Sequence, residues 1–194
     1  MFSRLPNNSI RAFIQEHKRQ VKICQKYQNC YIVGSYKKCD ANCEPAVQTI
    51  IFDRNEGQPN VRLYYRLLKN DLLYISERYN KSLQTDSSFA AYSIAGIIQF
   101  AKILYFVKIT QCGCITDKCL CEGKHLAIIR PIVVIQNFSF PIANDEIRIP
   151  HIYHCTLLQE LASIPVESLI TVCFATNHDG KLYLAQRINI NESE

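Results

Sequence analysis

Cys112, Cys114, Cys119 and Cys121 are the residues of this chain most concentrated for chemistry. Their C-x-C-x4-C-x-C array offers four thiolates, the number that closes a tetrahedral zinc site with Zn–S distances of about 2.3 Å. In an extended C-x-C pair both side chains share one face but stand roughly 6–7 Å apart, too far for one ion. A shared metal therefore requires the backbone to turn, and Gly113 supplies that freedom. The same stretch also reads as a metal-free cysteine-rich surface tip, or as a disulfide in an oxidising setting. Cys24, Cys30, Cys39 and Cys43 form a second, looser thiol set. Cys155 and Cys173 sit in apolar runs and are expected to be buried core thiols.

His151 and His154 lie beside Cys155, but a cysteine nucleophile needs a base held by a third group, and no such residue stands out. The chain has no G-x-S-x-G, no phosphate-binding loop and no G-x-G-x-x-G. No catalytic residue is assigned, no small-molecule substrate is inferred, and a non-enzymatic protein is expected.

Charge supplies the second signal. The net charge is +5, and between Arg4 and Lys38 eight basic residues face only Glu16. Arg11, Lys18, Arg19 and Lys22 are the candidate nucleic-acid-binding residues of that segment. A solvated basic face accounts for them equally well. Further on, Tyr64, Tyr65, Tyr74, Tyr79, Tyr92, Tyr105 and Phe106 are interleaved with Arg62, Arg66, Arg78, Lys81, Lys102 and Lys108. Such a pattern suits base stacking or a peptide surface, and it also suits a core with polar outer faces. Clustered tyrosines can also cage a methylated lysine.

The elements that must carry these residues are mostly strands. With 194 residues, 48% hydrophobic and 20% charged, the chain can bury a core. The apolar run 97–109 is broken by Gln99, Lys102 and Lys108 and falls short of the roughly 20 residues that span a bilayer. Neither a membrane segment nor a secretory leader is expected. A nuclear or cytoplasmic location follows, where thiols are mostly reduced.

Residues 10–26 carry apolar positions near helical spacing and predict a basic amphipathic helix. Residues 28–46 read as a cysteine-bearing connection, and 53–60 as a polar boundary. The expected division is thus 1–60, basic helix and linker, and 61–194, a β module. Within the module, strands are predicted over 61–67, 72–79 and 89–94. A long hairpin spans 96–135, its cysteine-rich tip at 110–124. A polar connection is expected over 137–150, then strands over 152–158, 170–175 and 181–190. Asp179-Gly180 marks a tight turn. The fold class is mainly β, a small twisted antiparallel β-barrel with an N-terminal amphipathic helix.

Three phrases carry a resemblance: Arg62-Leu63-Tyr64-Tyr65-Arg66-Leu67-Leu68, Gly96-Ile97-Ile98-Gln99-Phe100-Ala101-Lys102, and Ile164-Pro165-Val166-Glu167-Ser168-Leu169. Over about 61–190 the chain resembles the C-terminal β-module of transposon-derived proteins, similar in layout to bromo-adjacent-homology (BAH) domains of chromatin proteins, which implies a BAH or SH3-like layout for the barrel. The acidic metal ligands of such transposases have no counterpart. The resemblance implies a detached accessory module that binds chromatin protein or nucleic acid. The alternative is a zinc-binding structural or regulatory protein built around the hairpin tip.

Overall fold

The computed structural model describes residues 23–27, 29–38, 60–79, 88–110, 121, 123–142 and 145–186. Among them are thirteen strands, one 3-10 turn and no α-helix. All strand pairings are antiparallel.

The first strands are β1 (Ile23–Tyr27), β2 (Cys30–Val33), β3 (Lys37–Lys38), β4 (Asn60–Tyr64), β5 (Arg66–Lys69), β6 (Leu72–Ile75) and β7 (Phe89–Ile94). They lead into two long strands, β8 (Ile97–Thr110) and β9 (Lys124–Ile142). Then follow β10 (Asp145–Leu157), β11 (Ala162–Pro165), β12 (Leu169–His178) and β13 (Lys181–Gln186). β1, β2, β5 and β6 form one sheet, and the other nine strands form a second. Inside the second sheet the ladder closes on itself: β7–β8–β9–β10–β13–β12 and back to β7.

Tight turns set the local register. Asn70-Asp71, Ala95-Gly96 and Asp179-Gly180 all have positive φ at both residues, the geometry that matches the twist of hairpin strands. They join Lys69 to Leu72, Ile94 to Ile97 and His178 to Lys181. Each ring strand contributes to one apolar cluster of Phe89, Ala91, Phe100, Ile132, Cys155, Cys173 and Leu184. That cluster fills the ring, because residues two apart on a strand share a face. Ala90, Tyr92, Ala101, Ile103, Ala127 and Ile129 point the other way, against Cys30, Ile32, Leu67 and Tyr74 of the four-stranded sheet. Leu104 and Ile128, both fully buried, centre a third cluster.

Several expectations are corrected. The helix over 10–26 lies outside the described residues except for its end, and there the chain is β1, not helix. Tyr27 faces Cys30 in a local antiparallel pair, and that pairing takes up the backbone groups a helix would use. Cys30–Val33, expected within a loop, is a strand whose residues mostly point into the core. β2 pairs with β5 and β3 with β4, so residues 30–38 share sheets with the chain beyond residue 60. The stretch expected as a polar connection, 137–150, is strand over its described residues 137–142 and 145–150. β9 and β10 run through it as a two-stranded ribbon, from Asp145↔Ile142 to Ile149↔Phe138. Apolar Phe138, Phe140, Ile147 and Ile149 alternate with polar residues, the period of a strand, and the register sets Phe138 opposite Ile149 and Ser139 opposite Arg148.

Candidate functional site

Among the described residues β3 lies at one end of the nine-stranded sheet, and the residues around it combine cations with aromatic rings. Lys37 is exposed, with Nζ 5.7 Å from the centroid of the Tyr65 ring. Tyr65, at the bend between β4 and β5, lies 6.2 Å from Tyr105 at an interplanar angle of 49°. Arg62 places its guanidinium 4.8 Å over Tyr36, which lies 6.2 Å from Tyr64. Arg66 stands 4.8 Å over Tyr79. The three cation–ring contacts lie within the range where the ring quadrupole attracts a cation. Gly34 makes room for Arg66: its φ is +99°, and a Cβ there would come 3.0 Å from the guanidinium.

Behind this edge a basic row runs inward across three strands. Arg62 opposes Lys108 across β4–β8, and Lys108 opposes His125 across β8–β9. Directly opposed residues share a face, and all three side chains are at least nine-tenths buried. The backbone register extends to Lys38, opposite Arg62. His125 is held neutral. Burial lowers its pKa to about 4, Lys108 pushes in the same direction, and Glu167 opposes them. Lys69 is also buried, and its ammonium donates to the carbonyl oxygens of Glu167 (2.5 Å) and Leu169. Burial lowers its pKa, while Cys30 and Glu167 counteract that. Cys30 opposes Lys69 across β2–β5, and burial pushes its thiol pKa up.

The residues expected to act are placed unevenly. Arg11, Lys18, Arg19, Lys22, Cys112, Cys114 and Cys119 lie outside the described residues. Cys121 is half-buried, ahead of β9. Among the described residues no group of three or more His, Cys, Asp or Glu side chains converges as a metal site. Cys155 and Cys173 are buried inside the ring as expected, with burial raising their thiol pKa values to about 11 and about 12. Of the aromatic and basic set, Tyr64, Tyr74, Tyr92 and Phe106 are core residues, while Tyr65, Tyr79 and Tyr105 remain partly exposed. Tyr36 is absent from the sequence-based set. Its relation to Arg62 and Tyr64 comes from the pairing of β3 with β4 across a long stretch of chain, which no local pattern reveals.

Among the described residues no helix is long and apolar enough to cross a membrane. Comparison with protein-family models, curated proteins and solved structures returns no match.

Proposed function

We propose that the chain is a non-enzymatic binding module whose cationic–aromatic edge engages single-stranded nucleic acid. The observation that carries this reading is the grouping of exposed Lys37 with the partly exposed rings of Tyr65 and Tyr105 near β3, together with Arg62 and Arg66 on Tyr36 and Tyr79. Cations along a backbone track and aromatic faces for bases are the two elements of sequence-tolerant single-strand binding. Lysine on an edge strand also blocks sheet-to-sheet aggregation, so the binding reading rests on the rings beside it. We read the six-strand ring as a small barrel that holds this edge rigid. Arg11, Lys18, Arg19 and Lys22 add basic charge for the same partner.

Fluorescence anisotropy with a labelled oligothymidylate at several salt concentrations tests the reading. Affinity should fall with salt at about 0.7 log units per log unit for each phosphate neutralised. Lys37→Ala should shallow that slope. Tyr65→Ala should weaken binding by about 1–3 kcal/mol with the slope kept. Absent binding, or binding indifferent to salt, sinks the proposal.

A further inference from the structure

The β7–β8 hairpin ends in a tip that stands apart from the rest of its sheet. β7 pairs with β12 no further than Tyr92↔Leu169, and β8 pairs with β9 no further than Phe100↔Ile132. Among the described residues, the strand positions within 93–98 therefore pair only with each other, Ser93↔Ile98 and Ile94↔Ile97. Ala95 and Gly96 close the turn with φ of +51° and +81°, and a Cβ added at Gly96 would meet nothing within 4 Å. At the base of the tip, Tyr92 Oη donates a hydrogen bond of 2.7 Å to Gln99 Oε1 across the two strands. The result is a short, braced finger in open space.

The finger is aliphatic on both faces. Directly opposed residues share a face, so Ile94 and Ile97 lie on one and Ile98 on the other. They are 47%, 63% and 53% exposed. A hairpin with one face on a core and one in water alternates apolar with polar, and this tip does not. Residues 89–101 contain no charged side chain. β9 has the same character at the same end of the β8–β9 ladder. Val133, Val134 and Ile135 follow Ile132 and are all exposed, and 131–143 is likewise uncharged.

Size and shape select the partner. A stable protein interface uses roughly 20–30 residues a side, and 93–98 with 133–135 supply nine. A bilayer surface needs no complementary contour, because a convex apolar tip gains simply by leaving water. The backbone limits the depth. The outer edges of a two-stranded hairpin carry N–H and C=O groups that hydrocarbon cannot satisfy, so the tip suits the interfacial layer, about 5–10 Å deep. Ile97 stands two residues above Gln99, roughly 7 Å along the strand, which matches that depth.

We propose that the 93–98 tip inserts into the interfacial layer of a lipid bilayer. Ile94, Ile97 and Ile98 lie among the upper acyl chains, and the Tyr92–Gln99 hydrogen bond lies at headgroup level. The contact is apolar and requires no anionic lipid. It rests on the bilayer surface without spanning it, at the opposite end of β8 from the nucleic-acid edge.

The chain contains no tryptophan, so Ile97→Trp supplies a single fluorescent reporter for the test. The full-length variant is titrated with vesicles of phosphatidylcholine alone. Its emission should shift to the blue, and lipids brominated near the top of the acyl chain should quench it more than lipids brominated near the chain end. Added salt should change neither result, which separates insertion from attraction of basic residues to the surface. Phe174→Trp, a reporter at a position 60% exposed on β12, should not shift. In co-sedimentation with the same vesicles, Ile94→Ser/Ile97→Ser should lower partitioning about tenfold or more, the loss expected when two aliphatic side chains no longer leave water. Phe174→Ser should leave partitioning unchanged. No blue shift, an equal shift in Phe174→Trp, or undiminished partitioning in Ile94→Ser/Ile97→Ser would overturn the proposal. So would a lipid-free dimer that this double variant dissociates, which would assign the tip to a second copy of the chain.

Discussion

His125 gives the basic row a measurable pH signature. Its ring is buried and sits opposite Lys108, so a proton on it would place a second cation beside the first, out of water. The folded protein resists that proton until about pH 4, whereas an unfolded chain takes it up near 6.5. Between those values the unfolded state holds more protons, so stability falls as pH drops. One such group costs about 2 kcal/mol by pH 5 and about 3 kcal/mol once both states are protonated. The assay is urea unfolding at closely spaced pH values from 7.5 to 4, on the parent chain and on His125→Gln. Carboxylates titrate in both, so the difference between the two curves isolates the imidazole. The parent should lose stability between pH 6.5 and 5 with a slope approaching 1.4 kcal/mol per pH unit, and His125→Gln should be nearly flat there. Equal slopes in the two proteins would refute the account of a neutral histidine beside a buried lysine.

Lys108→Met should raise the pKa of His125 from about 4 toward the ordinary range, read by NMR titration of the imidazole, because it removes the neighbouring cation. Gly34→Ala should destabilise the fold by about 1 kcal/mol or more in urea unfolding, since φ there is +99° and the new methyl presses on Arg66. Cys30, Cys155 and Cys173 should resist alkylation at pH 8 in the native state and react on unfolding, as peptide mapping by mass spectrometry would report, because burial raises their thiol pKa values. If the hairpin tip holds zinc, elemental analysis should find about one equivalent in the parent chain and none in Cys112→Ser/Cys114→Ser; equal zinc in both excludes the tip.

The legible parts of this fold are those specified by neighbours in sequence. Phe89–Ile94 was readable as a strand from its composition, and Asp179-Gly180 as a turn from the need for positive φ. The arms of the central hairpin were equally plain, being rich in β-branched and aromatic residues. Cys155 and Cys173 were assigned to the core from the apolar runs around them. The ribbon within 137–150 did carry a strand signal, Phe138 and Phe140 then Ile147 and Ile149 alternating with polar residues, but the prolines and polar residues among them read as a connection.

The candidate edge divides along the same line. The sequence determined that Arg62, Arg66, Tyr65 and Tyr105 lie on β-type segments with cations among aromatics. Tertiary structure decided which of them stay accessible: Tyr65 and Tyr105 remain partly exposed while Tyr64, Tyr74 and Lys108 are buried. Side-chain alternation selects a face, but whether that face meets water or another sheet depends on long-range pairing. β3 against β4, β8 against both β4 and β9, and the six-strand closure are contacts between distant segments. They turned a lysine and a histidine on separate arms of one hairpin, Lys108 and His125, into buried neighbours, and left Lys37 at the rim.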